Sequence, residues 1–203
     1  MTLSAEDADR VEQAFDAANQ RTRGPLVGVL ASASSDYAFM PLLWSGLLTL
    51  ATPWPLLVFT GLSAQRIFLL QLVVCLVSLA AFSFGPLRVS LTPPRVRRAN
   101  AHRAALVQYA VRGLDRAVER NGVLIYLSLA EHYARIVADQ GACRVVSTAQ
   151  WQAVVDALVA DVRSRGAVEA MSNAAARCAE LLQAEFPADP SAAPLPLHRF
   201  HVV

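Results

Sequence analysis

The chain has 203 residues, 55% of them hydrophobic, with 18 basic against 16 acidic side chains and a formal net charge of +2. A charge that small implies no nucleic-acid partner and no other polyanion. Every basic residue is an arginine, which excludes a Schiff base, a pyridoxal anchor and a phosphate-loop lysine.

The N-terminus, MTLSAEDADRVEQAF, is acidic and amphipathic, so no cleaved signal is expected there. Ser4 with Asp7 three positions on reads as a helix start, and Val11, Ala14, Phe15 and Ala18 fall on one face at helical spacing. Gly24 and Pro25 end that element, and Leu26, Val27, Val29 and Leu30 form a short buried strand. From Ala38 to Leu62 there is no ionisable side chain, and Ile67 to Phe84 is a second uncharged run of about 18 residues. The polar break Gly61–Arg66 joins them into a transmembrane hairpin, which also raises the mean hydropathy to +0.38. Pro41, Pro53 and Pro55 remove backbone donors, so the first span should kink, its freed carbonyls being met from the neighbouring helix. Gln71 and Ser78, facing Thr49 or Thr52, are expected to hydrogen-bond between the spans. Arg21 and Arg23 before the hairpin and Arg88, Arg95, Arg97, Arg98 and Arg103 after it, against Arg66 alone in the turn, place both termini in the cytoplasm.

Beyond the prolines Pro86, Pro93 and Pro94, a helix is predicted over about Arg95 to Glu119, with Ala101, Ala105, Leu106, Tyr109 and Leu114 as its core stripe. Its basic start, with Arg97, Arg98, His102 and Arg103, would lie near the inner leaflet. VLIYLSL, Val123 to Leu129, is apolar enough for a central strand beside Leu26–Leu30, and YARIVAD, Tyr133 to Asp139, returns as its hairpin partner. Gln140-Gly141 reads as a break followed by a weak Val145-Val146 edge. Ser147 or Thr148 then caps a helix carrying Trp151, Val154, Val155, Leu158 and Val162. A last helix, with Met171, Ala175, Cys178, Leu181, Leu182 and Phe186, stops at Pro187. The three cysteines, Cys75, Cys143 and Cys178, are odd in number and far apart, which gives neither a disulfide framework nor a zinc knuckle.

GVLIYLSLAEHYARIVADQG, with RTRGPLVGVLASASSDYA and PLLWSGLLTLATPWPLL upstream, RVRRANAHRAAL after the hairpin and W-x-x-V-V-x-x-L over Trp151–Leu158, resembles the membrane-integrated bacterial branch of the TPM domain family. Thylakoid proteins of photosystem II repair and an accessory protein of acetylcholine receptors belong to the same family. The resemblance runs from about Ser4 to Pro187 and implies an α/β fold, an αβα sandwich with a small mixed sheet, interrupted by a two-helix transmembrane hairpin. The domain would then consist of residues 1–37 and 86–187, with the hairpin at 38–85 and a flexible tail at 188–203. Family members are associated with acid phosphatase activity, calcium binding and the assembly or repair of membrane complexes. This chain reads Thr22-Arg23-Gly24-Pro25-Leu26 where bacterial relatives commonly read T-x-G-E-I, and has Cys143 and Arg144 where soluble relatives carry acidic residues. Both changes subtract carboxylates from a carried-over metal site.

Three carboxylates remain as candidate ligands for a hard cation such as calcium: Asp36 and Asp139 at strand ends, and Glu131. They fall short of the six or so oxygens that calcium takes. Glu131-His132 resembles an acid/base pair but lies in a hairpin turn, and His198 and His201 fall in the tail. Ser128 lacks a nucleophile elbow, and Cys143-Arg144 lacks a phosphate-cradling loop. The expectation is therefore an inner-membrane protein with two spans and no cofactor. Its role would be non-enzymatic, a binding or assembly module for another membrane protein or a second copy of itself, the alternative being a metal-assisted phosphatase.

Overall fold

The computed structural model describes residues 4–35, 37, 39–84, 89–117, 119–188 and 198–203. The chain divides into two compact units: one is Met1–Ser34 with Asn100–Val203, the other Ser35–Ala99.

The first unit is a mixed α/β domain. Helix α1 (Ala5–Asn19) starts where the Ser4 hydroxyl accepts from the Asp7 amide at 3.1 Å, with Glu6 and Asp7 in the positive first turn. At its other end the Asn19 side chain donates to the Leu26 carbonyl and accepts from the Leu26 amide, both at 2.9 Å, which ties α1 to strand β1 (Leu26–Ala31). β1 pairs in parallel with β2 (Val123–Ser128), Leu26 opposite Val123 and Ala31 opposite Ser128. β2 turns back antiparallel into β3 (Tyr133–Ala138). A fourth strand, β4 (Phe200–Val202), lies parallel on the far side of β1, giving the order β3-β2-β1-β4.

Both central strands are buried throughout, so their residues divide between two faces with the strand period of two. Leu26, Leu30, Val123, Ile125 and Leu127 point into the larger core with α1 and the two late helices, named below α7 and α8. Val27, Val29, Ala31, Leu124 and Tyr126 meet Ala105 and Tyr109 of helix α5 (Pro94–Val111), together with Leu114. Helices thus cover both faces, the αβα sandwich expected. Gly28 permits the close packing of α1: a Cβ there would stand 2.7 Å from Phe15 Cε2.

Three local departures from the sequence reading have physical causes. Helix α5 ends at Val111 rather than near Glu119, because Gly113 adopts φ 67° and a short 3-10 turn, Leu114–Arg116, follows. Leu106 faces outward, not into the core. Gln140–Val145 is a short helix, α6, where a break and an edge strand were expected: the Asp139 side chain caps the Gln140 amide at 2.7 Å. Helices α7 (Thr148–Arg165) and α8 (Ala167–Leu182) follow as expected, α7 opened by a capping box of Ser147 and Gln150. Of the flexible tail expected over 188–203, residues 189–197 lie outside the described residues, and Phe200–Val202 is instead a strand with Phe200 buried against Phe15.

In the second unit, α2 (Phe39–Ala51) and α3 (Pro53–Phe59) run almost without interruption, and α4 (Ala64–Ser83) returns. The stretches Phe39–Phe59 and Ala64–Ser83 are long and apolar enough to cross a membrane. The helix restarts at Pro53, as expected for a residue without an amide donor. Pro53 cannot bond the carbonyl of Thr49, and Gln71 Nε2 of α4 donates to that carbonyl at 3.2 Å. Buried Ser45 and Ser78 lie on the two facing helices, small enough for close approach.

Candidate functional site

The carboxyl ends of parallel strands are where open α/β sheets collect ligands. Here β1 and β2 end together, and the parallel ladder continues past them through Leu129 N to Ala31 O at 3.0 Å and Ala130 N to Ser32 O at 3.1 Å. The tight turn into β3 passes through His132 at φ 50° and swings Glu131 inward. Glu131 is only 8% exposed. Its Oε1 accepts from the Ser34 amide at 2.8 Å, and its Oε2 accepts from the Ser34 hydroxyl at 3.3 Å and from the Ser128 hydroxyl. Ser34 Oγ also stands 2.9 Å from the Tyr126 hydroxyl, closing a network of four side chains. Burial pushes the Tyr126 phenol above its ordinary value; the hydrogen bond with Ser34 opposes this and the Glu131 charge adds to it.

This arrangement stabilises a buried carboxylate through three donors. The Ser34 and Ser128 hydroxyls both donate to Glu131, and the neighbouring His132 is exposed. Glu131, read from the sequence as a residue of the hairpin turn, is thus buried within that turn. The sequence offered a faint signal for its partners, since Tyr126 and Ser128 alternate on one face in the second half of an otherwise apolar strand.

Asp139 sits at the opposite end of the sheet. β3 separates it from Glu131 by about 20 Å, the length of a six-residue strand. The two expected cation ligands cannot share an ion, and Asp36 lies outside the described residues. Among the described residues no group of three or more His, Cys, Asp or Glu side chains is gathered as a metal would need. Asp139 instead has structural partners: besides capping α6, it takes Arg120 Nε at 3.1 Å from Oδ2, and its amide donates to the Gly122 carbonyl at 3.0 Å. Tyr109 abuts it, its phenol pushed up first by burial and then by Asp139. Cys143 of α6 is also raised, by burial and the Asp139 charge, which opposes a thiolate nucleophile there.

His198 and His201 are separated from these loci. His201 lies in β4, and His198 Nδ1 is 3.7 Å from Glu12 Oε1. Glu12 is chiefly a backbone acceptor: its two oxygens take the Arg199 and Phe200 amides at 2.9 and 3.1 Å, fastening β4 to α1.

Neither a family model nor a curated protein matches the sequence. Among solved structures, the NMR structure of the BA42 protein from the psychrophilic bacterium Bizionia argentinensis is similar, with a TM-score of 0.61 and 13% identity, covering 100% of this chain and 97% of that one. At that identity the likeness speaks to the fold alone, and it supports the mixed α/β architecture.

Proposed function

We propose that this protein is a membrane-anchored, non-enzymatic binding and assembly module of the TPM type. The observation that carries the reading is the hairpin itself: two apolar helices stand between β1 and β2 in the chain, and their side chains are largely exposed. Only lipid or another membrane protein covers such surfaces stably. Aromatic side chains are enriched toward the ends of the spans, with Phe39 and Trp44 near one end of the first, and Trp54 and Phe59 near the other. The arginine distribution supports an inner-membrane location with both termini cytoplasmic. A partner membrane protein or a second copy would be held through the hairpin and a sheet edge.

The alternative, a metal-assisted phosphatase, draws on one observation: Glu131 with the Ser34 and Ser128 oxygens lies at the strand ends where ligands bind. Release of phosphate from an aryl phosphate by the purified protein, with and without calcium or magnesium, separates the two. The binding module predicts no turnover above that of a Glu131→Gln variant. Metal-dependent turnover that disappears in Glu131→Gln would make the protein an enzyme.

A further inference from the structure

Helix α5 is inverted relative to an ordinary surface helix. Its inward face packs with alanines, Ala101 and Ala105, while its outward stripe is apolar: Leu106 is 45% exposed, Val107 53% and Val111 68%. Ala110 is exposed between them, and Arg103 lies one turn before on the same stripe. From Pro94 to Gly113 there is no acidic residue, whereas Arg95, Arg97, Arg98, Arg103 and Arg112 are all present. Exposed aliphatic side chains on a helix bearing arginines and no carboxylates are the composition of a helix lying in a lipid–water interface. A soluble protein partner would be expected to answer the apolar stripe, but nothing in this helix's uniformly positive charge selects one over a membrane surface. Continuity of the chain favours the membrane. Residues 84–93 join the end of α4 to the start of α5, and ten residues reach at most about 35 Å. The start of α5 is therefore tethered by the chain to the end of α4 over at most that distance.

We infer that the Leu106, Val107 and Val111 stripe of α5 is a second membrane contact, docking the α/β domain on the anionic inner leaflet. This rests on the anchoring proposed above. Aliphatic side chains enter the boundary between headgroups and acyl chains, and Arg103 on the stripe, with Arg95 at its flank, faces lipid phosphates. The hairpin would then fix the domain to the membrane, and α5 would fix which side of the domain faces it.

The test uses the full chain with Cys143 replaced by serine, reconstituted in vesicles of phosphatidylcholine with or without phosphatidylglycerol. An environment-sensitive fluorophore is placed singly at Val107→Cys, at Val77→Cys in α4 and at Glu180→Cys in α8. Val77 reports the span, and Glu180, 60% exposed, is the aqueous control. The inference expects the Val107 label to be quenched by brominated lipid and shielded from iodide, several-fold relative to Glu180, with the shielding increased by phosphatidylglycerol. A Val107 label as open to iodide as Glu180, while Val77 is quenched by brominated lipid, overturns the inference and leaves the anchor standing. If Val107 is shielded without quenching by brominated lipid, and cross-links to a second copy at Val107, the stripe is a self-interface and the inference fails. Water-accessible Val77 would overturn the anchor and the inference together. Leu106→Glu, a change on an exposed position, should abolish the lipid quenching at Val107 while Val77 remains in lipid.

Discussion

Gly28 and Asp139 show how much single residues carry in this fold. Gly28 sits in β1 beneath the Phe15 ring, with no room for a Cβ. Gly28→Val should destabilise the purified protein by about 2 kcal/mol or more through overpacking, read as a lower unfolding midpoint in detergent. Asp139→Ala removes the cap of α6 and the partner of Arg120, and should cost about 1–3 kcal/mol without changing any membrane insertion. His201 provides a pH test. Burial first, and then Arg112, lowers its pKa below the ordinary 6.5, while the His198 carbonyl and Glu12 partly oppose this. With the folded value depressed, the unfolded chain binds the proton first as pH falls; the associated stability is complete above pH 6.5 and is lost as pH drops through the folded value. Unfolding midpoints compared at neutral and mildly acidic pH should fall less for His201→Gln than for the unaltered protein. Glu131 was named from the sequence, but its burial was not legible there, because that depends on His132 adopting a positive φ and on Ser34 arriving from the segment that follows β1.

At the scale of elements, the two helices long and apolar enough to cross a membrane were legible, because an uncharged run of that length is a local property of the sequence. So was the need to satisfy the carbonyl freed by Pro53, which Gln71 meets through Thr49. Gln71→Leu should weaken hairpin packing by about 1 kcal/mol, the usual size of an interhelical hydrogen bond in a membrane, measured by resistance of the folded protein to denaturing detergent. β4 was not legible. Three residues, Phe200–Val202, are too few for a periodic pattern, and their strand exists because β1 offers an edge and Glu12 accepts the incoming amides. Phe200→Ala should cost about 3 kcal/mol, since the ring is buried and stacks with Phe15 at 6.2 Å. Helix α6 was misread for a related reason: a side-chain cap, invisible to hydrophobic periodicity, decides a helix of six residues.

For the molecule as a whole, the apolar hairpin divides one folding unit in sequence without dividing its sheet. β1, which precedes the hairpin, pairs along its full length with β2, which follows it. A truncated chain beginning at Arg95 would leave the apolar edge of β2 uncovered and strip α1 from the core, so it should aggregate rather than fold; cooperative unfolding of a soluble monomer would contradict this. The sequence alone pointed to the two long apolar helices, to a buried strand over Val123–Leu129 beside Leu26–Leu30 and to the two late helices, because length, charge and hydrophobic period are local properties. Only the tertiary structure decided how Glu131 is buried, which face of α5 remains outside and where the chain's end is seated. Those outcomes depend on contacts between residues far apart in sequence: Ser34 reaches Glu131, and Glu12 takes the amides of Arg199 and Phe200, and no reading of residue types in order contains those contacts.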